Sequence, residues 1–205
     1  MTRTLITVPM KDPAASKTRL AHAISGEERV RLAQLLFRRT LTFLTPFAAE
    51  DGVELAVVTG SAWAAGEARA QGWHVIRDPA ESSLSRAVEV AAQWAAPRFD
   101  RLCVIPADLA APDAHDIASL LASTDPVTIC PASDDGTNAL LVSPPDALPF
   151  LYGPKSAQMH FAAAQERGLA AQFLALDSLS FDIDTTACLD RALQEVPELA
   201  GMAAE

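Results

Sequence analysis

The feature that most constrains this chain is a regular alternation of short apolar runs with longer segments of helical spacing. Leu5-Ile6-Thr7-Val8 is the first apolar run and reads as a buried strand. Ser25-Gly26-Glu27-Glu28 reads as a capping box, in which Ser25 accepts from the N–H three residues on and Glu28 reaches back. The helix it starts is predicted to run to about Leu44, with Leu32, Leu35, Leu36, Leu41 and Leu44 at helical spacing, and Pro46 stops it. Further strands are predicted at 54–60, 73–76, 100–105, 127–130 and 137–142, with two short ones near 172–176 and 180–183. Helices are predicted at 62–71, from Ser82 or Ser83 to Ala96, from Asp113 to about Ala122, from Gly153-Pro154 to about Arg167, and from about Thr186. This order predicts an α/β fold. A mostly parallel sheet of about seven strands is covered on both faces, giving three α/β/α layers.

At 205 residues the chain is expected to form one domain, 1–205, with room for a sizeable core. Half of its residues are hydrophobic, a fifth are charged and the net charge is -10. That balance argues against nucleic acid as a partner, which needs a basic surface. Cys103, Cys130 and Cys188 are far apart with no C-x-x-C pair, which gives neither a disulfide framework nor a zinc site. Arg3 and Lys11 interrupt any signal-peptide core, and no apolar run is long enough to span a bilayer. A cytoplasmic protein with no membrane partner is expected, and a homodimer stays open.

Against this acidic background the N-terminal stretch is basic. Residues 1–20 hold Arg3, Lys11, Lys17 and Arg19 against Asp12, a net of +3. Lys11, Lys17 and Arg19 follow the first strand directly. A basic loop there suits a polyphosphate, because it offers backbone N–H groups and positive charge where an open α/β sheet presents its ligand crevice. The two common phosphate motifs, G-x-G-x-x-G after a strand and G-x-x-x-x-G-K-(S/T), are absent. Asp108 sits just past a predicted strand end, where a carboxylate beside phosphate oxygens can help to hold Mg2+. Asp182 and Asp184 flank Ile183; if extended, both carboxylates share one face and repel unless a cation lies between them.

The stretch Val8-Pro9, Lys11, Lys17-Thr18-Arg19-Leu20 resembles the N-terminal signature of the 2-phospho-L-lactate guanylyltransferase family, which activates a small phospho-acid with GTP for deazaflavin (coenzyme F420) biosynthesis. Pro106-Ala107-Asp108-Leu109, Gly136-Thr137-Asn138-Ala139-Leu140, Tyr152-Gly153-Pro154-Lys155-Ser156 and Asp182-Ile183-Asp184-Thr185 follow the same family pattern in order. The resemblance implies a MobA-like, nucleotide-diphospho-sugar transferase type of fold. It implies transfer of GMP from GTP to 2-phospho-L-lactate, phosphoenolpyruvate or 3-phospho-D-glycerate, with Mg2+ and release of pyrophosphate. On that reading Lys11, Lys17 and Arg19 hold the triphosphate, with Val8, Pro9, Ser85 and Asp108 around the nucleotide. Asp108, Asp182 and Asp184 hold the metal, and Thr137, Asn138, Gly153 and Ser156 hold the acceptor. His160 matches a family histidine in position, and an isolated His is usually structural.

One departure bears on specificity. Ser83-Leu84-Ser85 stands where the family usually has G-L-N, which puts strict guanine preference, or the acceptor's identity, in doubt. Other readings remain at this point: another MobA-like or sugar-phosphate nucleotidyltransferase, although the signature L-x-x-G-x-S-x-R is absent, or a non-catalytic nucleotide-binding module.

Overall fold

The structure is a computed structural model that describes residues 2–78, 83–196 and 199. Its strands are β1 (Thr4–Pro9), β2 (Val53–Thr59), β3 (His74–Arg77), β4 (Arg101–Val104), β5 (Val127–Pro131), β6 (Thr137–Val142) and β7 (Ala171–Phe173). Its helices are α1 (Gly26–Leu44), α2 (Ala62–Ala70), α3 (Leu84–Ala95), α4 (Ala114–Leu121), α5 (Ser156–Glu166) and α6 (Thr186–Glu195). The strands form one sheet in the order β3-β2-β1-β4-β6-β5-β7. β6 runs antiparallel to both of its neighbours, and every other pairing is parallel.

Alternation along the strands explains the layers. Ile6 and Val8 of β1 point to one face with Leu55, Val57, Cys103 and Leu141, and there they meet Phe37, Leu41 and Leu44 of α1 and Ile117 and Leu120 of α4. Leu5 points to the other face with Ala56, Val58, Leu102, Val104 and Leu140, against the alanine-rich sides of α3 and α5. Alanine on both helices lets them approach the sheet closely. α6 packs outside these layers, its Leu189 and Ala192 against Leu20, Leu32 and Leu36. Cys103 and Cys130 are buried within the sheet, where burial raises both thiols and keeps them protonated.

The helix starts follow local chemistry. The Ser25 hydroxyl accepts from Glu28 N–H at 3.2 Å and Ser25 N–H donates to the Glu28 carboxylate at 2.7 Å, completing the capping box. Ser83 caps α3 and Thr185 caps α6. Ser82 lies outside the described residues.

Two expected elements differ. Residues 180–183 do not form a strand: Asp182 makes only an isolated antiparallel bridge with Leu109. This segment pairs with the loop after β4 instead of adding to a sheet edge, so it has one short partner and no ladder. α5 begins at Ser156, not at Gly153-Pro154, and Pro154 lies outside it. Lys155, left-handed at φ 58°, turns the chain just before the helix. Among the described residues, no helix is long and apolar enough to cross a membrane.

The sheet order has a consequence for ligand binding. The chain runs from β1 outward through β2 and β3, then returns to place β4 on the other side of β1. The carboxyl ends of β1 and β4 therefore flank a topological switch point, where open α/β sheets leave a crevice.

Phe37 is wholly buried between α1 and the sheet, its ring centroid 5.7 Å from that of Trp63. Phe37→Ala is expected to cost about 3–5 kcal/mol, read as a lower urea midpoint at unchanged slope.

Candidate active site

The basic segment leaves β1 in two tight turns. Asp12 organises the first, over Pro13–Ala15: its carboxylate accepts from Ala14 N–H at 3.0 Å and from the Ser61 hydroxyl at 2.8 Å. Lys17 starts the second turn, Thr18–Leu20, with a left-handed backbone at φ 54°. A non-glycine residue in that conformation costs about 1–2 kcal/mol. The side chain supplies what offsets it. The Lys17 side chain is 5% exposed, and its ammonium donates to Asp108 Oδ2, to Ile183 O at 2.7 Å and to Asp184 Oδ1 at 3.1 Å.

The three aspartates are brought together by backbone pairing. Ile183 N–H donates to Asp108 O at 3.2 Å, and Ala110 N–H donates to Phe181 O at 3.0 Å. These bonds lay the segment before α6 across the loop after β4. Asp108, Asp182 and Asp184 then present oxygens that all lie within 4.8 Å of one another. Ile183, between two of them, is fully buried, as alternation requires. Burial, then the charges of Asp108 and Asp184, raise the Asp182 carboxyl from 3.8 to about 6. Burial disfavours the Lys17 charge, but Asp108 and Asp184 outweigh it and hold the ammonium above its ordinary value. Three crowded hard oxygen donors fit a divalent ion such as Mg2+, which binds through a few carboxylates and keeps other positions for water and phosphate.

A cleft of about 450 Å3 opens beside this cluster. Lys11, Lys17, Arg19, Asp108 and Asp184 line one part of it. Arg19 reaches Asp184 at 3.3 Å from an exposed position, and Lys11 makes no ion pair among the described residues. Pro9, Val58, Leu84 and Ala87 form an apolar wall at the ends of β1, β2 and the start of α3. Thr137, Asn138 and Tyr152 line it at the mouth of β6.

Other sequence-predicted residues sit around the cleft rather than in its wall. Val8 is buried under it. Ser85 accepts the Tyr152 N–H at 3.0 Å and so ties α3 to the loop before α5. Ser156 is buried, and its hydroxyl donates to Thr137 Oγ1 at 3.1 Å. Gly153 is exposed on the turn before α5. The first two N–H groups of α5 are already used, Ser156 on Gly153 O and Ala157 on Asp135 O, so this helix start is not an open anion site at those positions. Asn138 lines the cleft but donates its amide to Leu179 O at 2.8 Å, anchoring the turn that leads to Asp182. His160 is buried, with Nδ1 3.0 Å from Thr137 Oγ1 and Nε2 accepting from Leu151 N–H at 2.9 Å. Burial pulls it down to about 4, so it is neutral at physiological pH.

Sequence reasoning missed Asp78, which lines the cleft immediately after β3. The rule that singled out Asp108, an acid just past a strand end, would also have found it.

Two expectations follow from the charge cluster. Lys17→Met leaves the carboxylates without their shared cation. It should destabilise the protein by roughly 1–3 kcal/mol, the buried-pair cost discounted for partial exposure. Millimolar Mg2+ should then raise the melting temperature of the variant more than that of wild type. Asp182 gives a pH signature. Its raised value means that the protonated form favours the fold; this stabilisation is complete below 3.8 and is lost as pH rises through about 6. Asp182→Asn should therefore stabilise the metal-free protein at pH 7.5, by on the order of 1–2 kcal/mol, and change little near pH 4.

Comparison with known proteins agrees with this architecture. The family model described as "Guanylyl transferase CofC like" matches residues 4–194. A 3-phospho-D-glycerate guanylyltransferase of Colwellia psychrerythraea is 42% identical over 187 residues, covering 89% of this chain and 88% of its own. A phosphoenolpyruvate guanylyltransferase of Roseiflexus sp. is 35% identical, with 86% and 79% covered. Among solved structures, a protein described as a nucleotide-diphospho-sugar transferase from Desulfovibrio desulfuricans G20 superposes with a TM-score of 0.72 over 100% of this chain and 95% of that one. At 17% identity that likeness is one of fold. With nearly its whole length matched, this chain belongs to the CofC-like guanylyltransferase family.

Proposed function

We propose that this guanylyltransferase, acting as a single domain, transfers GMP from GTP to 3-phospho-D-glycerate with release of pyrophosphate, using Mg2+. The observation that carries the reading is the cleft lined by the buried Lys17 ammonium, by Lys11 and Arg19 and by Asp108 and Asp184, with Asp182 adjoining those two carboxylates. The choice among the three acceptors follows the relatives. The 3-phospho-D-glycerate enzyme is 42% identical, against 35% for the phosphoenolpyruvate enzyme named above. A product destined for deazaflavin biosynthesis, as the family resemblance implies, is part of this reading.

The chemistry asks little of a general base. A phosphate monoester has a second pKa of about 6 and is mostly dianionic at neutral pH. Its oxygen forms a bond to the α-phosphorus of GTP, and the bond from that phosphorus to the bridging oxygen of pyrophosphate breaks. Rate enhancement then rests on positioning and on charge. Lys11 and Arg19, exposed at the cleft, neutralise the triphosphate and the charge that collects on departing pyrophosphate. Lys17 keeps its proton throughout, so it is a fixed positive charge at any working pH. Asp108, Asp182 and Asp184 would hold Mg2+, which when bound would polarise phosphoryl oxygens. The apolar wall of Pro9, Val58, Leu84 and Ala87 takes the flat nucleoside, and Thr137 faces the acceptor.

Pyrophosphate release tests this directly, with GTP and Mg2+ and each of the three phospho-acids in turn, and ATP as the control. Turnover is expected with 3-phospho-D-glycerate and GTP. Asp108→Asn should lower kcat by about 100-fold or more while the variant stays folded. Turnover with another of the acids alone would reassign the acceptor. GTP binding without pyrophosphate release from any of them would rule out the reaction.

A further inference from the structure

We propose that His160 is a positioning residue that fixes the Thr137 hydroxyl as a hydrogen-bond donor toward the anionic acceptor. The proposal rests on the reading of Thr137 as part of the acceptor site, and it adds a residue that never touches the substrate.

The proton bookkeeping allows one arrangement. His160 Nε2 accepts from the backbone N–H of Leu151 at 2.9 Å, so that nitrogen carries no hydrogen. The proton of the neutral ring is therefore on Nδ1. Nδ1 lies 3.0 Å from Thr137 Oγ1, and so it must donate to it. Ser156 Oγ lies 3.1 Å from the same oxygen and donates to it as well. The reverse polarity would leave the Ser156 proton buried with no other acceptor among the described residues, which is costly. Both lone pairs of Thr137 are then occupied by donors. Its own proton has to go elsewhere, and the open side of Thr137 is the cleft that it lines.

A hydroxyl in isolation is ambivalent: it donates or accepts as its partner requires. Here two buried donors remove the accepting option. The hydroxyl becomes a donor in a fixed direction, suited to a carboxylate or phosphate oxygen and mismatched to a group that can only donate. The ring of Tyr152 packs edge-on against His160 with centroids 5.1 Å apart, which holds the imidazole plane. Burial keeps the imidazole neutral, so the arrangement does not change over the working pH range.

Two replacements separate positioning from mere packing. In His160→Asn the side-chain amide occupies the place of Nδ1 and can still donate to Thr137, while the contact with Leu151 is lost. In His160→Gln the longer side chain reaches the place of Nε2, keeps the Leu151 contact and loses the donor to Thr137. The expected result is that His160→Gln raises KM for 3-phospho-D-glycerate by about tenfold with KM for GTP unchanged. His160→Asn should stay within about threefold of wild type. Thr137→Val should match His160→Gln, Thr137→Ser should restore wild-type behaviour, and the double variant His160→Gln/Thr137→Val should be no worse than Thr137→Val alone. Calorimetric Kd values for 3-phospho-D-glycerate make the same comparison without turnover. They also separate a failure of this proposal from a failure of the reaction assignment. Equal KM effects of His160→Asn and His160→Gln, or wild-type affinity in Thr137→Val, would overturn the positioning role. Absence of any binding of the acid by wild type would instead overturn the acceptor assignment, and the proposal with it.

Discussion

One buried ammonium holds this site together. Three carboxylates with oxygens within 4.8 Å of one another would otherwise force their segments apart. Two unit charges 4 Å apart repel by about 4 kcal/mol at an effective dielectric constant of about 20. The segment that brings in Asp182 and Asp184 is also held by the bridge to Leu109, the burial of Leu179 and Ile183, the bond from Asn138 to Leu179 O and the Arg19–Asp184 pair. Lys17 joins the loop after β1 to the loop after β4 and to this crossing segment. It bonds Asp108, Asp184 and Ile183 O at once, and these bonds offset the cost of its left-handed backbone.

The position of this cluster follows from topology. β1 and β4 lie side by side while the chain between them runs the other way round, so the loops that leave their carboxyl ends diverge over the sheet. One loop carries cations and the other an aspartate. A charged site could not be built above the middle of a strand, where both faces are filled by helices. It is possible at this edge because the backbone there is free of the ladder and water can reach the outer groups. Lys17 is the exception, and it is buried only because its charge is matched.

What was legible in the sequence was local. The first strand, the capping box at Ser25 and the helix it starts depend on residues within a few positions of one another, and they stand in the structure as read. The pattern Asp182-Ile183-Asp184 was legible as alternation but not as a strand, because strand formation needs a partner and this segment has only Leu109. Pro154 reads as a first helical residue; Lys155, in a left-handed conformation that the sequence does not mark, moves the start of α5 to Ser156. The cations of the basic loop were legible as charges, yet nothing local distinguishes Lys17, which is buried in the carboxylate cluster, from Lys11, which is not. The contacts of His160 join positions 137, 151, 156 and 160 across a turn and a helix, so they exist only once the fold does.

Ser85 illustrates how placement changes the meaning of a substitution. On sequence grounds, serine in place of the family's asparagine bears on guanine preference or on the acceptor's identity. In the fold its hydroxyl oxygen accepts the Tyr152 N–H, bracing the start of α3 against the loop that precedes α5. Serine and asparagine both offer an oxygen that can accept from a backbone N–H, so the brace asks for an acceptor and not for one particular side chain. Tyr152, held at its backbone by Ser85 and packed through its ring on His160, links the wall of the cleft to the buried contacts behind Thr137. A change at position 85 thus acts first on Tyr152, which lines the cleft, and through it on the buried contacts behind Thr137.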